Sequence, residues 1–398
     1  MTAVAPEITE EELLQRVADF LKEHDPKTTD KIEWLRARYD AGLAWVHFPV
    51  GRGGLGISRS LNAAVESAFR KAGAPDNNYG QNVIGLGMAA PTLVAWATPE
   101  QLDKYLRPLY TGENIWCQLF SEPGAGSDVA NVATRAVKDA DGTWVVNGQK
   151  VWTTLAQFAD HAILVARTNP DVPKHAGLSY FVIDLQQPGV EIRPLRQITG
   201  EAEFNEVFLT NARIPASDLI GAEGDGWKVA TTTLNNERVS IGGNAIPRGG
   251  MVWNAVEAWK NHPENHSGDL QERLMTLWVK AEAMRITGER LRQKMAAGQP
   301  GPEGSALKLV MPDITQATAG LELEIVGEGG LSYHDWTFKR SEGAMAGSSP
   351  GFRFLRTKGN SIEGGTNEIL RNLISERVLG LPGEHRVDKE AAWKDLEK

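Results

Sequence analysis

The stretch best suited to chemistry is residues 116–154, which combines a glycine-rich turn with an aromatic and hydroxyl cluster. Ser121, Glu122 and Pro123 predict a tight turn. The GAGSD segment after it exposes backbone N–H groups and a hydroxyl, which suit an anion such as a pyrophosphate. Further along, Trp152 and two threonines offer an indole face and hydroxyls to a planar heterocycle. Each part alone is equally compatible with an ordinary turn and an ordinary core tryptophan.

Two other patterns match known site motifs but lack their context. Residues 51–56 read GRGGLG, the pattern of a dinucleotide-binding loop, yet Pro49 precedes them and the flanking sequence is helical on both sides, so an inter-helix loop is favoured. His262 and His266 have the spacing of two metal ligands on a helix. Pro263 between them disfavours a helix, so we expect a surface loop and no metal site.

The motifs taken together resemble the acyl-CoA dehydrogenase family, and actinobacterial members in particular. SEPGAGSD and GQKVWTT match its signature, and AEFNEVFLTNARIP, GDGWKVATTTLNNER, the 324–331 stretch and GGTNEILR follow in the family's order. The resemblance covers nearly the whole chain. It implies FAD as the cofactor and α,β-dehydrogenation of an acyl-CoA thioester to the trans-2-enoyl-CoA. Electrons would pass to an external acceptor such as electron-transfer flavoprotein, and a sterol-derived or other bulky acyl group is one expectation for the substrate.

The resemblance also implies residue roles. The flavin ring, the pyrophosphate region and the adenosine end of FAD would be contacted by Gln118, Phe120, Ser121, Gly126, Ser127, Trp152, Thr154, Thr366 and Glu368. Ser127 and Arg238 would lie against the substrate. The backbone N–H of Gly364 would donate to the developing enolate oxygen.

The catalytic base is predicted to be Glu237. The usual family base precedes the Gly-Thr of the penultimate motif, where this chain has Gly364. A minority of the family instead place it just before the arginine of a Glu-Arg pair, which Glu237 and Arg238 match. Glu363, one residue from the usual position, is the rival. The alternative interpretation makes Glu237 and Arg238 an ordinary ion pair on the surface or between helices.

Two departures from the family pattern concern the contribution of one subunit to its neighbour's FAD. The R-x-x-F-G stretch is missing, and the Q-x-x-G-G-x-G loop reads EIVGEGG at 324–330. A carboxylate near a pyrophosphate is electrostatically unfavourable. A homotetramer or a heterotetramer with a related subunit is therefore expected. Two alternatives to an active dehydrogenase are a flavin monooxygenase or oxidase on the same fold and a non-catalytic partner subunit.

The elements that must position these residues are predicted in the order helices, strands, helices. This order predicts an α+β fold. We expect an all-α N-terminal domain at 1–115, a central antiparallel β-domain at 116–225 and a C-terminal four-helix-bundle domain at 226–398. A capping box of Thr9 with Glu12 predicts the first helix, and Pro26 ends it. Asp-Gly and Asn-Gly pairs at 141–142 and 147–148 predict hairpin turns on either side of a short strand at 143–146. Further strands are predicted at 161–167, 178–185, 190–194 and 204–207, and helices at 32–41, 60–72, 99–110, 275–295 and 307–326, with a loop at 298–304.

Composition narrows the class of protein. The chain has 398 residues with a net charge of −9, which disfavours a general binder of nucleic-acid backbones. Cys117 is the single cysteine, so an internal disulfide and a Cys-rich metal site are excluded. No apolar run reaches the roughly 18 residues of a membrane span. The acidic start lacks the pattern of a signal peptide, and a cytoplasmic location is expected.

Overall fold

The computed structural model describes residues 8–242, 247–296, 303–333, 337–338, 349–385 and 388–396. In these residues a helical N-terminal part is followed by a β-domain and a second helical part. The predicted fold class and layer order are therefore confirmed.

Five α-helices form the N-terminal part. The predicted capping box is present, since the Thr9 side chain accepts from the Glu12 N–H while the Glu12 carboxylate accepts from the Thr9 N–H. Thr98 and Gln101 make the same box before another helix. The π-turn Gly85–Ala89 and the helix after it were not predicted. The helices are α1 (Glu10–Glu23), α2 (Lys31–Asp40), α3 (Asn62–Ala72), α4 (Ala90–Trp96) and α5 (Pro99–Thr111).

The 51–56 glycines lie between α2 and α3, as the inter-helix interpretation predicts. A side chain at Gly54 would stand 2.1 Å from the carbonyl oxygen of Phe48, so the close approach of two backbone segments requires glycine there. The glycines of this stretch therefore serve the turn itself.

Eight strands in the described residues form one sheet in the order β6-β7-β3-β2-β4-β5-β8, with β1 paired to β4. Most pairs are antiparallel, as expected, whereas β1 and β2 each pair with β4 in parallel. The strands are β1 (Trp116–Leu119), β2 (Arg135–Lys138), β3 (Trp144–Thr154), β4 (His161–Arg167), β5 (Leu178–Asp184), β6 (Val190–Leu195), β7 (Phe204–Ile214) and β8 (Leu219–Ile220).

The prediction of a second turn at Asn147 and Gly148 is wrong. The chain turns only between β2 and β3, where the Gly142 N–H donates to the carbonyl of Asp139. Asn147 and Gly148 lie within β3, at a bulge in its pairing with β7. Because pairing with β7 continues past this bulge, β3 runs on to Thr154 and carries the aromatic and hydroxyl cluster.

The strands β4 and β5 are buried on both faces, which places the sheet between two cores. Alternate residues of β4, among them Ile163 and Val165, pack against the N-terminal helices, while Ala162 and Leu164 pack inside the β-domain. This period of two follows from strand geometry. The N-terminal helices thereby cover one face of the sheet that carries the candidate site.

The C-terminal helices surround α9, which packs against α6, α7, α8, α10 and α11. The apolar core of α7, α8 and α9 includes Val252, Leu277 and Leu321. Most of the predicted 298–304 loop lies outside the described residues, and residues 303 and 304 belong to α9. These helices are α6 (Gly226–Gly242), α7 (Val252–Asn261), α8 (Gly268–Ala296), α9 (Glu303–Val326), α10 (Pro350–Arg356) and α11 (Asn367–Arg377).

Candidate active site

A buried ion pair joins the glycine-rich turn to β3. The fully buried Lys150 ammonium donates to the Glu122 carboxylate at 2.8 Å, and to the carbonyls of Phe120 and Val165 at 3.0 and 2.9 Å. The Glu122 oxygens also accept from the backbone N–H groups of Ala133 and Thr134. All three ammonium protons are used, so the end of β1 and the turn after it are fixed relative to β3 and β4.

Burial and pairing oppose each other in this pair. Burial lowers the pKa of Lys150 to about 8, although the Glu122 carboxylate favours its charged form. Burial also raises the pKa of Glu122, but the Lys150 ammonium and the hydrogen bonds together hold that pKa below its ordinary value. Since the loss of one partner would leave an uncompensated buried charge, the two residues depend on each other.

The glycine-rich turn presents an open backbone. Glu122 and Ala125 exchange two backbone hydrogen bonds of 3.0 Å each, which close the turn. Gly126 and Ser127 after it are exposed. A side chain built at Gly124 or Gly126 would meet no atom within 4 Å, so packing within the protein does not demand glycine at either position. A ligand that approaches the backbone closely would account for it.

Trp152 is held out from the sheet. A bulge between Lys150 and Thr153 interrupts the pairing of β3 with β7, and Trp152 has a left-handed φ of 59°. Its side chain is 58% exposed and packs edge-on against Phe204, with ring centroids 5.8 Å apart. Such a conformation costs about 1–3 kcal/mol and concentrates at functional sites. The exposed indole face therefore favours a stacking role.

Polar atoms near the end of β1 and of β3 lack partners among the described residues. The amide oxygen of Gln118 and the hydroxyl of Thr153 are buried without a hydrogen bond. Thr154, the next residue of β3, is only half-buried. The side chain of Phe120 instead packs in the core, edge-on to Tyr180. Any contact of Phe120 with a cofactor would therefore come from its backbone.

These observations fit a flavin dinucleotide. The indole of Trp152 suits a planar ring system, and the unpartnered Gln118 and Thr153 suit its polar edge. The open turn at Gly126 and Ser127 suits a pyrophosphate. The β-domain thus offers groups that suit two parts of such a cofactor, the flavin ring and the pyrophosphate.

On the C-terminal side, Glu237 is carried by α6, and buried hydroxyls fix that helix. The Thr233 hydroxyl, one turn before Glu237, lies 2.8 Å from the hydroxyl of Tyr180 on β5 and 3.0 Å from that of Thr92 on α4. Trp96 also donates to Thr232 at 2.9 Å. The face of α6 that holds the half-buried Glu237 is therefore positioned by both other domains.

Two glycines and a buried lysine shape the turn before α11. Gly364 and Gly365 have φ of 66° and 93°, a region that side chains rarely adopt, so glutamate at 364 would be strained. The buried Lys308 ammonium donates to the carbonyls of Asn360 and Gly365 at 3.0 and 2.7 Å. Burial lowers the pKa of Lys308.

The carboxylates of Glu363, Glu237 and Glu368 oppose this lowering of the Lys308 pKa. All three therefore lie within electrostatic reach of that lysine. Lys308, which anchors the turn through the Gly365 carbonyl, therefore interacts electrostatically with both the predicted base and its rival.

Both carboxylate oxygens of the rival Glu363 are engaged. They accept from Arg356 at 3.1 and 3.3 Å and from the Asn360 side-chain amide at 2.5 Å. Arg356 also binds Glu203 at the start of β7, and its guanidinium lies 5.4 Å from the ring of Phe204. Although burial lowers the pKa of Arg356, these two carboxylates hold it above its ordinary value. Glu363 therefore serves the contact between the C-terminal helices and the β-domain.

Two of the remaining predicted residues lie at the N-terminal end of α11, and the side chain of a third lies outside the described residues. Thr366 is the N-cap of α11, and its hydroxyl accepts from the Ile369 N–H at 3.2 Å. Glu368 is exposed, 3.3 Å from Arg371. The side chain of Arg238 lies outside the described residues, although its backbone belongs to α6.

One of the two carboxylates in the altered glycine loop is neutralised within the chain. Glu324 makes a bidentate pair with Arg273 of α8, at 2.6 and 2.7 Å. Gly330 approaches the Leu323 carbonyl too closely for a side chain. The carboxylate at 324 is therefore matched by a guanidinium.

Sequence reasoning missed the groups that hold the site together. Glu122 and Lys150 lie inside the quoted motifs, but their pairing depends on the turn and β3 meeting in space. Lys308 stands in the apolar run ALKLV, and a lone lysine within such a run is the one signal that could have flagged it. Arg356 carries no local signal.

The described residues hold no helix long and apolar enough to cross a membrane. Within the same residues, no group of three or more histidine, cysteine, aspartate or glutamate side chains could hold a metal ion. His262 and His266 are engaged separately, with Glu264 and with the ring of Trp259.

Comparison with protein families matches three consecutive models. The N-terminal domain of acyl-CoA dehydrogenase matches residues 2–113, the middle domain 117–212 and the C-terminal domain 224–379. The matches follow one another in the order of the three structural parts.

Individual relatives and solved structures agree. The chain is 40% identical over 354 residues to "Acyl-CoA dehydrogenase IpdE1" of Mycobacterium tuberculosis, which covers 88% of each chain. A solved structure titled "Tcur3481-Tcur3483 steroid ACAD" is 25% identical with a TM-score of 0.71, covering 96% of this chain and 100% of that one. The ChsE4-ChsE5 complex from Mycobacterium tuberculosis is 27% identical with a TM-score of 0.70, covering 96% and 100%.

Proposed function

This chain belongs to the acyl-CoA dehydrogenase family, and we propose that it uses FAD to oxidise the α,β bond of an acyl-CoA thioester. The product is the trans-2-enoyl-CoA, and the electrons pass to an external acceptor such as electron-transfer flavoprotein. One observation carries the proposal. Gly364, with a left-handed φ, stands at the family's usual base position. Glu237 lies within electrostatic reach of Lys308, which anchors this glycine turn.

The reaction needs a base for the α-proton and donors for the enolate oxygen. Glu237 takes the proton, in the role of a positioned general base. The Gly364 N–H donates to the thioester oxygen as negative charge develops there, and Lys308 holds that turn through the Gly365 carbonyl. FAD, when bound, supplies the acceptor for the hydride that leaves Cβ.

Glu237 is favoured over Glu363 because the Glu363 carboxylate already accepts hydrogen bonds from Arg356 and Asn360. Both of its oxygens accept these bonds, and Arg356 in turn binds Glu203 beside the β-domain. Proton abstraction by Glu363 would require these hydrogen bonds to rearrange. Glu237 lies one turn after Thr233 on α6, and the Thr233 hydroxyl ties that helix to β5 and α4.

The β-domain supplies the cofactor's side of the site. Trp152 stacks on the ring, Gln118 and Thr154 meet its polar edge, and Ser121 and the Phe120 backbone line it. Gly126 and Ser127 hold the pyrophosphate, with Ser127 also near the substrate. Thr366 and Glu368 lie towards the adenosine end. The exposed indole and the unpartnered Gln118 oxygen support this assignment.

We further propose an oligomer, either a homotetramer or a heterotetramer with a related subunit. Met275, Val279 and Ile286 form an exposed apolar stripe along one face of α8, and such stripes mark interaction surfaces. The ChsE4-ChsE5 complex is a two-component relative of similar fold. A bulky acyl group is the proposed substrate class, since another relative is titled a steroid ACAD.

Anaerobic titration of the FAD-loaded protein with a panel of acyl-CoAs tests the function. We expect bleaching of the flavin absorbance, with bulky acyl groups bleaching at the lowest concentrations. Chromatography of the heat-released cofactor should give FAD. FMN alone, or no flavin after reconstitution with FAD, would overturn the proposal. FAD that no acyl-CoA bleaches would favour the non-catalytic subunit, and rapid reoxidation by O2 would favour the oxidase.

A further inference from the structure

The last described segment, residues 388–396, lies across the β-domain and is called here the C-terminal strap. The backbone N–H groups of Trp393 and Lys394 donate to the carbonyls of Val172 and Pro170, at 2.9 and 3.0 Å. Ala392 forms an antiparallel bridge with Pro173. The strap is thus docked through its main chain on the loop between β4 and β5.

Trp393 anchors the strap beside the glycine-rich turn. Its side chain is buried, and the guanidinium of Arg167 lies 4.5 Å from its ring. Its indole N–H donates to the side-chain oxygen of Asn131 at 2.7 Å. Arg167 in turn donates to the carbonyls of Ala130 and Val132 at 2.6 and 3.1 Å. One tryptophan therefore contacts both the segment after the turn and the arginine that holds it.

A second contact reaches the turn itself. Lys174 donates to Asp128 at 2.7 Å and to Asp388 of the strap at 2.6 Å. Although burial lowers the pKa of Lys174, these two carboxylates together raise it above its ordinary value. The ammonium is therefore a charged bridge between the strap and the residue next to Ser127.

The strap lies beyond the residues that match the model of the family's C-terminal domain. The match to the family's C-terminal domain ends at residue 379, and the strap begins nine residues later. Yet the strap contacts the loop that carries the family's most specific motif.

We propose that the C-terminal strap positions the turn at Gly126 and Ser127, with Asp388 and Trp393 as the positioning residues. The inference rests on the proposed function, since it assigns that turn to the pyrophosphate of FAD. The inner end of the loop is fixed by Glu122 and Lys150, and the outer end by the strap. Because a turn ordered in advance pays less entropy on binding, the strap strengthens FAD binding.

The test uses full-length protein and four variants. Trp393→Ala removes the indole contacts, Trp393→Phe keeps a ring over Arg167, and Asp388→Asn weakens the Lys174 bridge. Lys394→Ala is the matched control, since it breaks only an exposed ion pair between the strap and Asp171. The measurements are the FAD dissociation constant and hydrogen exchange of the 126–132 amides in the apoprotein.

We expect FAD binding about tenfold weaker in Trp393→Ala and about threefold weaker in Asp388→Asn, from the usual contributions of buried and partly exposed polar contacts. Trp393→Phe should lie between Trp393→Ala and the parent. Exchange at 126–132 should accelerate in the same order, and Lys394→Ala should match the parent in both measurements.

Unchanged exchange and unchanged FAD affinity in Asp388→Asn and Trp393→Phe would overturn the strap proposal. These two variants decide the matter if Trp393→Ala fails to fold. A parent protein that binds no FAD refutes the proposed function instead, and exchange at 126–132 then still shows whether the strap orders the turn.

Discussion

The candidate site has two walls, and their charges are arranged differently. The β-domain wall contains Glu122 and Lys150, and the C-terminal wall contains Lys308, Arg356 and Glu363. In the β-domain wall one buried ammonium, Lys150, is matched by one buried carboxylate, Glu122, and its remaining protons are bound by carbonyls. In the C-terminal wall Arg356 is shared by Glu203 and Glu363. There Lys308 bonds only carbonyls while several carboxylates lie within its electrostatic reach.

The difference teaches what each wall is for. An ion pair whose two charges cancel, and whose ammonium protons are all hydrogen-bonded, fixes the geometry of the residues around it. The C-terminal wall instead has several carboxylates within electrostatic reach of Lys308, which holds the turn at Gly364, and a carboxylate can act as a general base. The β-domain wall therefore suits cofactor placement, and the C-terminal wall suits proton transfer.

The largest effect expected from this comparison is on turnover. Glu237→Gln should retain FAD and fold but reduce kcat by about 10²–10⁴-fold, the usual consequence of removing a general base. Steady-state kinetics and the visible flavin spectrum check this. The matched control is Glu363→Gln, which should cost about fivefold or less, as for a partly exposed ion pair. Full turnover in Glu237→Gln with loss in Glu363→Gln would move the base to Glu363.

The second effect is on stability. Glu122→Gln leaves the Lys150 ammonium buried without its counter-charge, so the free energy of unfolding should fall by about 3–5 kcal/mol. Denaturant unfolding measures it. The double variant Glu122→Gln with Lys150→Met should recover much of the loss, because no buried charge then remains. Equal destabilisation of the single and double variants would show that the pair is not coupled.

Local sequence signals singled out the candidate site residues that lie on turns and strand ends. Trp152 and Gly126 were found because glycine punctuation and aromatic placement are local. The hydrophobic pattern likewise predicted β4 to the residue, as a short apolar run between turn signals. These signals depend on a few neighbouring residues, so the sequence alone is enough.

The features that the sequence did not predict depend mainly on contacts between residues that are distant along the chain. Asn147 and Gly148 have the strongest turn preference in the chain, yet pairing with β7 makes them a bulge. The helix α4 was missed because a π-turn precedes it and Pro91 stands in its first turn. The engagement of Glu363 by Arg356 could not be predicted, since one residue's shift in a glycine turn does not fix a side chain's direction.

The buried pair also predicts a pH dependence. The pKa of Glu122 in the folded protein lies below its ordinary value of 4.5, which applies when the chain is unfolded. Its contribution to stability is therefore complete above about pH 4.5 and is lost as the pH falls through the lower, folded pKa. Between about pH 6 and pH 3, the unfolding free energy of Glu122→Gln should decline less steeply than that of the parent. Parallel declines would mean that Glu122 carries no linked proton.

The smallest effect concerns the altered loop that contains Glu324. If this carboxylate repelled a neighbouring subunit's pyrophosphate, Glu324→Gln would tighten FAD binding. The structure instead pairs Glu324 with Arg273, whose charge balances it. We therefore expect FAD affinity to stay the same and the unfolding free energy to change by less than about 1 kcal/mol, as for exposed pairs. The control Arg273→Gln should weaken FAD binding if the loop approaches a pyrophosphate, because it releases the carboxylate. Fluorescence titration with FAD decides, and tighter binding in Glu324→Gln would show that the guanidinium does not neutralise this loop.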